Sequence, residues 1–151
     1  MKSTIFIAIL FICLNFSSCN KKAPEQSCDS CPVGGVVNPP QGFTYTRSGG
    51  NQIKADSAFY YSSSNTLLSY YQGNSYKLSI KVASSQTGNF PFTTTTNKLT
   101  YTEPLGTYIA SDGSVNITSN ANNKVSGDFT STGAGAGILS INGQFTDIPK
   151  K

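Results

Sequence analysis

Between Tyr76 and Val82 the chain alternates without a break. Tyr76, Leu78, Ile80 and Val82 fall on one side, and Lys77, Ser79 and Lys81 on the other. A period of two places successive side chains on opposite faces of an extended strand, so one face meets a core and the other meets water. The same period returns at Val115 and Ile117, at Val125, Gly127 and Phe129, and at Leu139 and Ile141, with Phe145 and Ile148 closing the pattern. No stretch after residue 42 shows the spacing of an amphipathic helix. Residues 42–148 are therefore expected to form an all-β domain.

Turn chemistry divides these runs. Ser48-Gly49-Gly50-Asn51, Gln72-Gly73-Asn74, Asp112-Gly113, Asn120 to Asn123 and Asn142-Gly143 all carry residues that accept positive φ and favour tight hairpins. Counted this way the domain has about nine strands, spaced as in an antiparallel β-sandwich or barrel. Gly133-Ala134-Gly135-Ala136-Gly137 reads as a hairpin tip. It lacks the Lys-Ser/Thr ending and the following helix of a phosphate-cradling loop.

Ahead of this domain lies a different kind of sequence. Lys2 is basic, Ile5 to Phe16 is an apolar run, and Ser17-Ser18-Cys19 follows. The run is shorter than the ~20 residues of a membrane-spanning helix. With small residues before the cut it reads as a secretory signal over residues 1–18. The small-small-Cys ending resembles the lipobox of bacterial lipoproteins, which implies acylation of Cys19 and attachment to a membrane through lipid. Acyl chains contribute about 0.8 kcal/mol per buried methylene, so two or three hold a protein on a bilayer.

Residues 19–41 are expected to be the lipidated cysteine and a tether, since Pro24, Pro32, Pro39, Pro40 and Gly34-Gly35 give an extended spacer with no core. Cys28-Asp29-Ser30-Cys31 lies within it. A zinc site needs about four ligands, and the chain has no histidine and no second such pair. A redox centre needs a βαβ setting that these surroundings lack. A small-loop disulfide between Cys28 and Cys31 is the expected state, although a pair on a tether can also react between chains.

Composition narrows the chemistry. Eleven Lys and Arg face seven Asp and Glu, thinly spread, with Lys21-Lys22 and Lys150-Lys151 as the charge pairs. Nucleic-acid binding asks for clustered cations and a readable motif, so no nucleic-acid partner is expected. Without histidine, Ser-His-Asp and Cys-His catalysis are impossible. Glu103 could pair with Asp56, Asp112, Asp128 or Asp147 as a glycosidase requires, but acids at turns and strand ends are ordinary surface residues. Asp112, Asn116, Asn120, Asn122 and Asn123 offer oxygens for calcium, yet Asn-rich turns are usually only turns. No enzyme, metal or cofactor is expected.

The aromatic residues are the better clue. Tyr60-Tyr61 and Tyr70-Tyr71 are adjacent pairs in strand-like runs, so one tyrosine of each pair should face in and the other out. Outward tyrosines on neighbouring strands would form a polar-aromatic platform able to meet a glycan or a protein partner.

Three strings in the C-terminal half carry a resemblance: Gly113-Ser114-Val115-Asn116-Ile117-Thr118-Ser119, Lys124-Val125-Ser126-Gly127-Asp128-Phe129, and Ile141-Asn142-Gly143-Gln144-Phe145-Thr146-Asp147-Ile148. With Gly88-Asn89-Phe90-Pro91-Phe92 upstream, they resemble a family of small lipoproteins of bacteroidete-type bacteria over residues 85 to 148. The resemblance implies a lipid-anchored β domain and brings no catalytic residues with it. The functional expectation is thus a non-catalytic binding or interaction module, with a structural or assembly lipoprotein as the alternative and an enzyme as a remote one. Asn20 is not the aspartate that commonly retains lipoproteins in the inner membrane, which leaves the outer membrane. Lys21-Lys22 ahead of Glu25 departs from the acidic run of surface-exported relatives and argues for the periplasmic face.

Overall fold

The computed structural model describes residues 42–92 and 95–151. Cys19, Cys28, Cys31 and the rest of residues 1–41, where a leader and a tether are expected, lie outside the described residues. Ten strands follow in chain order: β1 Gly42–Arg47, β2 Ile53–Lys54, β3 Ser57–Tyr61, β4 Thr66–Tyr71, β5 Tyr76–Lys81, β6 Gly88–Pro91, β7 Lys98–Glu103, β8 Gly106–Ala121, β9 Lys124–Ala134 and β10 Ser140–Pro149. They make one antiparallel sheet in the order β2-β1-β10-β9-β8-β7-β5-β4-β3, with β6 beside β8. The all-β antiparallel expectation is met.

The sheet curls into a half-barrel, and one ribbon of chain serves both its ends. Ile53-Lys54 pairs with β1. The Ala55 N–H then donates to the Phe43 carbonyl at 2.9 Å, and the Asp56 N–H donates to the Tyr70 carbonyl at 2.8 Å. From Ser57 onward the same ribbon pairs with β4. At the end of β10, Lys150 bridges to Tyr60 in parallel, and the Lys151 N–H donates to the Tyr60 carbonyl at 2.7 Å.

Inward-facing residues of almost every strand fill the interior. Phe43, Tyr45, Tyr60, Leu67, Leu78, Ile80, Leu99, Tyr101, Tyr108, Val115, Ile117, Val125, Phe129, Ile141 and Phe145 are all buried. Two glycines make room for two of the rings. Gly143 pairs with Phe129 and Gly127 with Phe145 across β10 and β9. Both strands carry a Gly-x-Phe triplet, and because they run antiparallel each glycine lies under the other strand's ring. Phe43 joins them, 5.6 Å from Phe129 and 6.1 Å from Phe145 between centroids.

Two expected turns are not turns. Asn142-Gly143 lies inside β10, where Gly143 faces Phe129 and the Asn142 Oδ1 accepts the Ser131 N–H at 3.2 Å. Asp112-Gly113 lies inside β8, next to a bulge between Ala110 and Asp112. Gly113 has φ 106, and a Cβ there would come within 2.1 Å of the Thr130 carbonyl oxygen. The bulge bends the long β8, so that β7 flanks its first part and β6 its second. By contrast, Asn122 and Asn123, with φ 52 and 57, form the tight β8–β9 turn, the primed geometry that asparagine tolerates.

Candidate functional site

At one mouth of the half-barrel the alternating pattern puts charge on the interior face. Arg47 continues the inward series Phe43, Tyr45, and Glu103 continues Leu99, Tyr101. Their strands are not neighbours, since β10, β9 and β8 separate them along the sheet. Curling brings them together across the lumen: Arg47 Nη1 lies 2.6 Å from Glu103 Oε2, with side-chain exposures of 35% and 8%. The same Nη1 donates to the Tyr101 hydroxyl at 3.2 Å. The guanidinium carbon is 5.6 Å from the Tyr101 centroid and 5.9 Å from that of Tyr76, within cation–π range of both.

More tyrosines surround this bolt. Tyr45 and Tyr101 lie edge to face at 5.8 Å, and their hydroxyls are hydrogen-bonded. Tyr71 and Tyr76, paired at the β4–β5 turn, stand 5.8 Å apart at 49° and are half-buried. Deeper in, the Tyr108 hydroxyl donates to Ser131 Oγ at 3.1 Å, which in turn donates to the Ile141 carbonyl at 2.7 Å. The adjoining turns add two large apolar side chains in solvent, Leu105 at 89% exposure and Leu139 at 71%.

Burial holds the inner phenols protonated. It pushes Tyr45 far above its usual value, and the hydrogen bond to Tyr101 adds to the rise. Burial also raises Tyr101, against the opposing pull of the Tyr45 hydrogen bond and the Arg47 charge. Tyr60 and Tyr108 are raised by burial too, each partly offset by a side-chain hydrogen bond. For a phenol raised on folding, stability is whole below the unfolded value near 10 and falls as pH rises above it, because the unfolded chain then holds fewer protons. Each such tyrosine steepens the loss by at most about 1.4 kcal/mol per pH unit. The domain should therefore unfold cooperatively in alkali. In a spectrophotometric titration Tyr45, Tyr60, Tyr101 and Tyr108 should ionise only with loss of the β signal. Smooth ionisation of every tyrosine near pH 10 in a folded domain would contradict this.

The four tyrosines expected to form a face are divided among three places. Tyr60 is in the core, its hydroxyl donating to Asn65 Oδ1 at 3.1 Å. Tyr61 and Tyr70 share the outer face but sit at opposite ends of the β3–β4 hairpin, opposite Thr66 and Ser57, with the Phe59–Leu68 pair between them. Tyr71 alone reaches the mouth, where it meets Tyr76. Sequence reasoning passed over Arg47, Tyr76 and Tyr101, and considered Glu103 only as one of a carboxylate pair. Glu103 faces Arg47 instead. Asp112 accepts the N–H of its own neighbour Gly113 at 2.7 Å, and Asp128 accepts from Asn116 at 3.3 Å. Among the described residues no three acids, cysteines or histidines come together as a metal site would need. No protein-family model, curated protein or solved structure matches the chain.

Proposed function

We propose that the protein is a lipid-anchored, non-catalytic binding module of the cell envelope, and that it engages a protein partner through the mouth of its half-barrel. The observation that carries this is the fixed arrangement there: half-exposed Tyr71 and Tyr76 beside an Arg47 locked by Glu103 and stacked on two rings, flanked by exposed Leu105 and Leu139. Tyrosine and arginine are the residues most enriched where protein interfaces concentrate their energy. Because Arg47 is already held, little side-chain freedom is lost on binding. Two isolated leucines in water are otherwise unexplained, and next to this cluster they extend an apolar surface for a partner.

The anchor rests on the leader: an apolar run ending in Ser17-Ser18-Cys19, with Lys21-Lys22 favouring the periplasmic face of the outer membrane. An assembly role through sheet edges gains less support. One terminal strand, β2, has two residues, and the other, β3, is bridged by Lys150 and Lys151. A glycan is the second reading, favoured by the tilted Tyr71–Tyr76 pair with hydrogen-bonding charge beside it.

A photo-crosslinking residue at position 105 or 139 in intact envelopes tests the proposal. It should yield one discrete protein adduct, absent when the probe sits at Tyr61, and at least tenfold weaker with Tyr76→Ala. Loss of the adduct with retained affinity for a polysaccharide gel, also sensitive to Tyr76→Ala, would select the glycan. Labelling that ignores both probe position and Tyr76 would end the mouth as a binding site.

A further inference from the structure

A second polar groove lies away from the mouth, where β5 ends. Its floor begins at Lys81, and its walls are Ser63, Ser64 and Asn65 on one side and Thr95 and Thr96 on the other. Both walls are pinned. The Val82 N–H donates to the Asn65 carbonyl at 3.0 Å, and Tyr60 from the core holds the Asn65 side chain. On the other side, buried Asn97 accepts the Ala83 N–H at 2.8 Å and donates to the Pro91 carbonyl at 2.9 Å. The groove is thus held in the fold by two asparagines, Asn65 and Asn97.

Its charge is one-sided. Lys81 on β5 pairs directly with Lys98 on β7, on the same face and both exposed. Like charges placed opposite each other across two strands destabilise a sheet. Neither lysine has a carboxylate partner among the described residues, whose ion pairs are Arg47–Glu103 and Lys124–Asp147. No acid lines the groove. Lys81 lines the groove with several hydroxyls, and Lys98 stands beside it across the β5–β7 ladder, so an anion there would relieve the repulsion.

We propose that this groove is a binding site for a phosphate group, taken by Lys81 and Lys98 as point charges and by hydroxyls of the two walls. A planar carboxylate is best met by the fork of an arginine, whereas a tetrahedral oxyanion accepts bonds from several directions at once. The hydroxyls of Ser63 and Ser64 on one wall and of Thr95 on the other supply those directions. The phosphate can belong to a lipid headgroup or to a soluble ester, and the two sources are separable.

In the full chain at constant ionic strength, millimolar inorganic phosphate should shift the backbone amide resonances of residues 63–65 and 95–96 saturably. Lys81→Gln and Lys98→Gln should each raise the Kd at least fivefold without lowering Tm in phosphate-free buffer, since each removes one charge of a repelling pair. Tyr76→Ala should leave the binding intact, so failure here and failure of the mouth are told apart. Cosedimentation with phosphatidylglycerol vesicles but not phosphatidylcholine vesicles, weakened by the same two variants, would identify a lipid headgroup. Phosphate binding without cosedimentation would identify a soluble ester. Shifts that do not saturate, or that persist in both lysine variants, would overturn the site.

Discussion

Gly143→Ala is expected to be among the most damaging small substitutions in the domain. A Cβ at Gly143 would come within 2.3 Å of the Thr44 carbonyl oxygen and within 2.7 and 2.9 Å of two Phe129 ring carbons. The oxygen belongs to the β1–β10 ladder and the ring is wedged against Phe43, so neither can give way cheaply. Overpacking a well-filled core costs about 1–3 kcal/mol, and a backbone clash belongs at the top of that range. For a domain of this size, a loss of about 3 kcal/mol should lower Tm by roughly 10–15 °C. Gly49→Ala is the control. Its φ is 73 but a Cβ there meets nothing within 4 Å, so only the conformational penalty of about 1 kcal/mol should appear. Equal Tm losses at the two positions would show that the ring does not need the space.

The second large effect concerns the charged bolt, and it should be asymmetric. Arg47→Met leaves Glu103, with its side chain 8% exposed, without its cation in the barrel interior. Stranding a buried charge costs several kcal/mol, and the 35% exposure of Arg47 reduces this pair's share to about 2 kcal/mol. Glu103→Met strands a guanidinium that can still reach water and rests on two rings, so about 1 kcal/mol is expected. The double variant should regain most of the loss, since apolar side chains of similar volume often replace a buried pair without penalty. Chemical denaturation of the four proteins makes the cycle. Strictly additive losses would mean that the two residues do not sense each other.

How much of this was legible in the chain depends on which physical signal each residue carries. Strict alternation disclosed the strands, because a sheet with one wet face leaves a period of two in any sequence. The turns were less secure. Asn-Gly reports only that positive φ is affordable, and at Asn142-Gly143 the glycine answers a different need, space for a ring from the next strand. That need is visible only when Gly127-Asp128-Phe129 and Gly143-Gln144-Phe145 are known to run side by side and opposed. At the mouth, one usable sign went unread. Arg47 is the chain's one arginine, and it falls on the inward beat after Phe43 and Tyr45, as Glu103 does after Leu99 and Tyr101. A charge in phase with a core forecasts a buried partner. The identity of that partner depends on curling, which joins β1 to β7 across three intervening strands and leaves no local trace. The tyrosine pairs gave the correct alternation, yet they could not reveal that Tyr61 and Tyr70 lie at opposite ends of one hairpin.

The position of β10 also governs the timing of folding. It lies between β1 and β9, so the first strand of the domain has its main neighbour about a hundred residues further along the chain. Pairings between such distant segments form late and slowly, because loop closure must come before any reward. Until residues 140–149 emerge, Phe43 lacks the stacked Phe145 ring, Gly143 is not there to admit Phe129, and β1 has only the two-residue β2 beside it. A nascent domain wired in this order can pair its meander from β3 to β9 early, but its curl closes only once β10 has emerged to join β1 to β9.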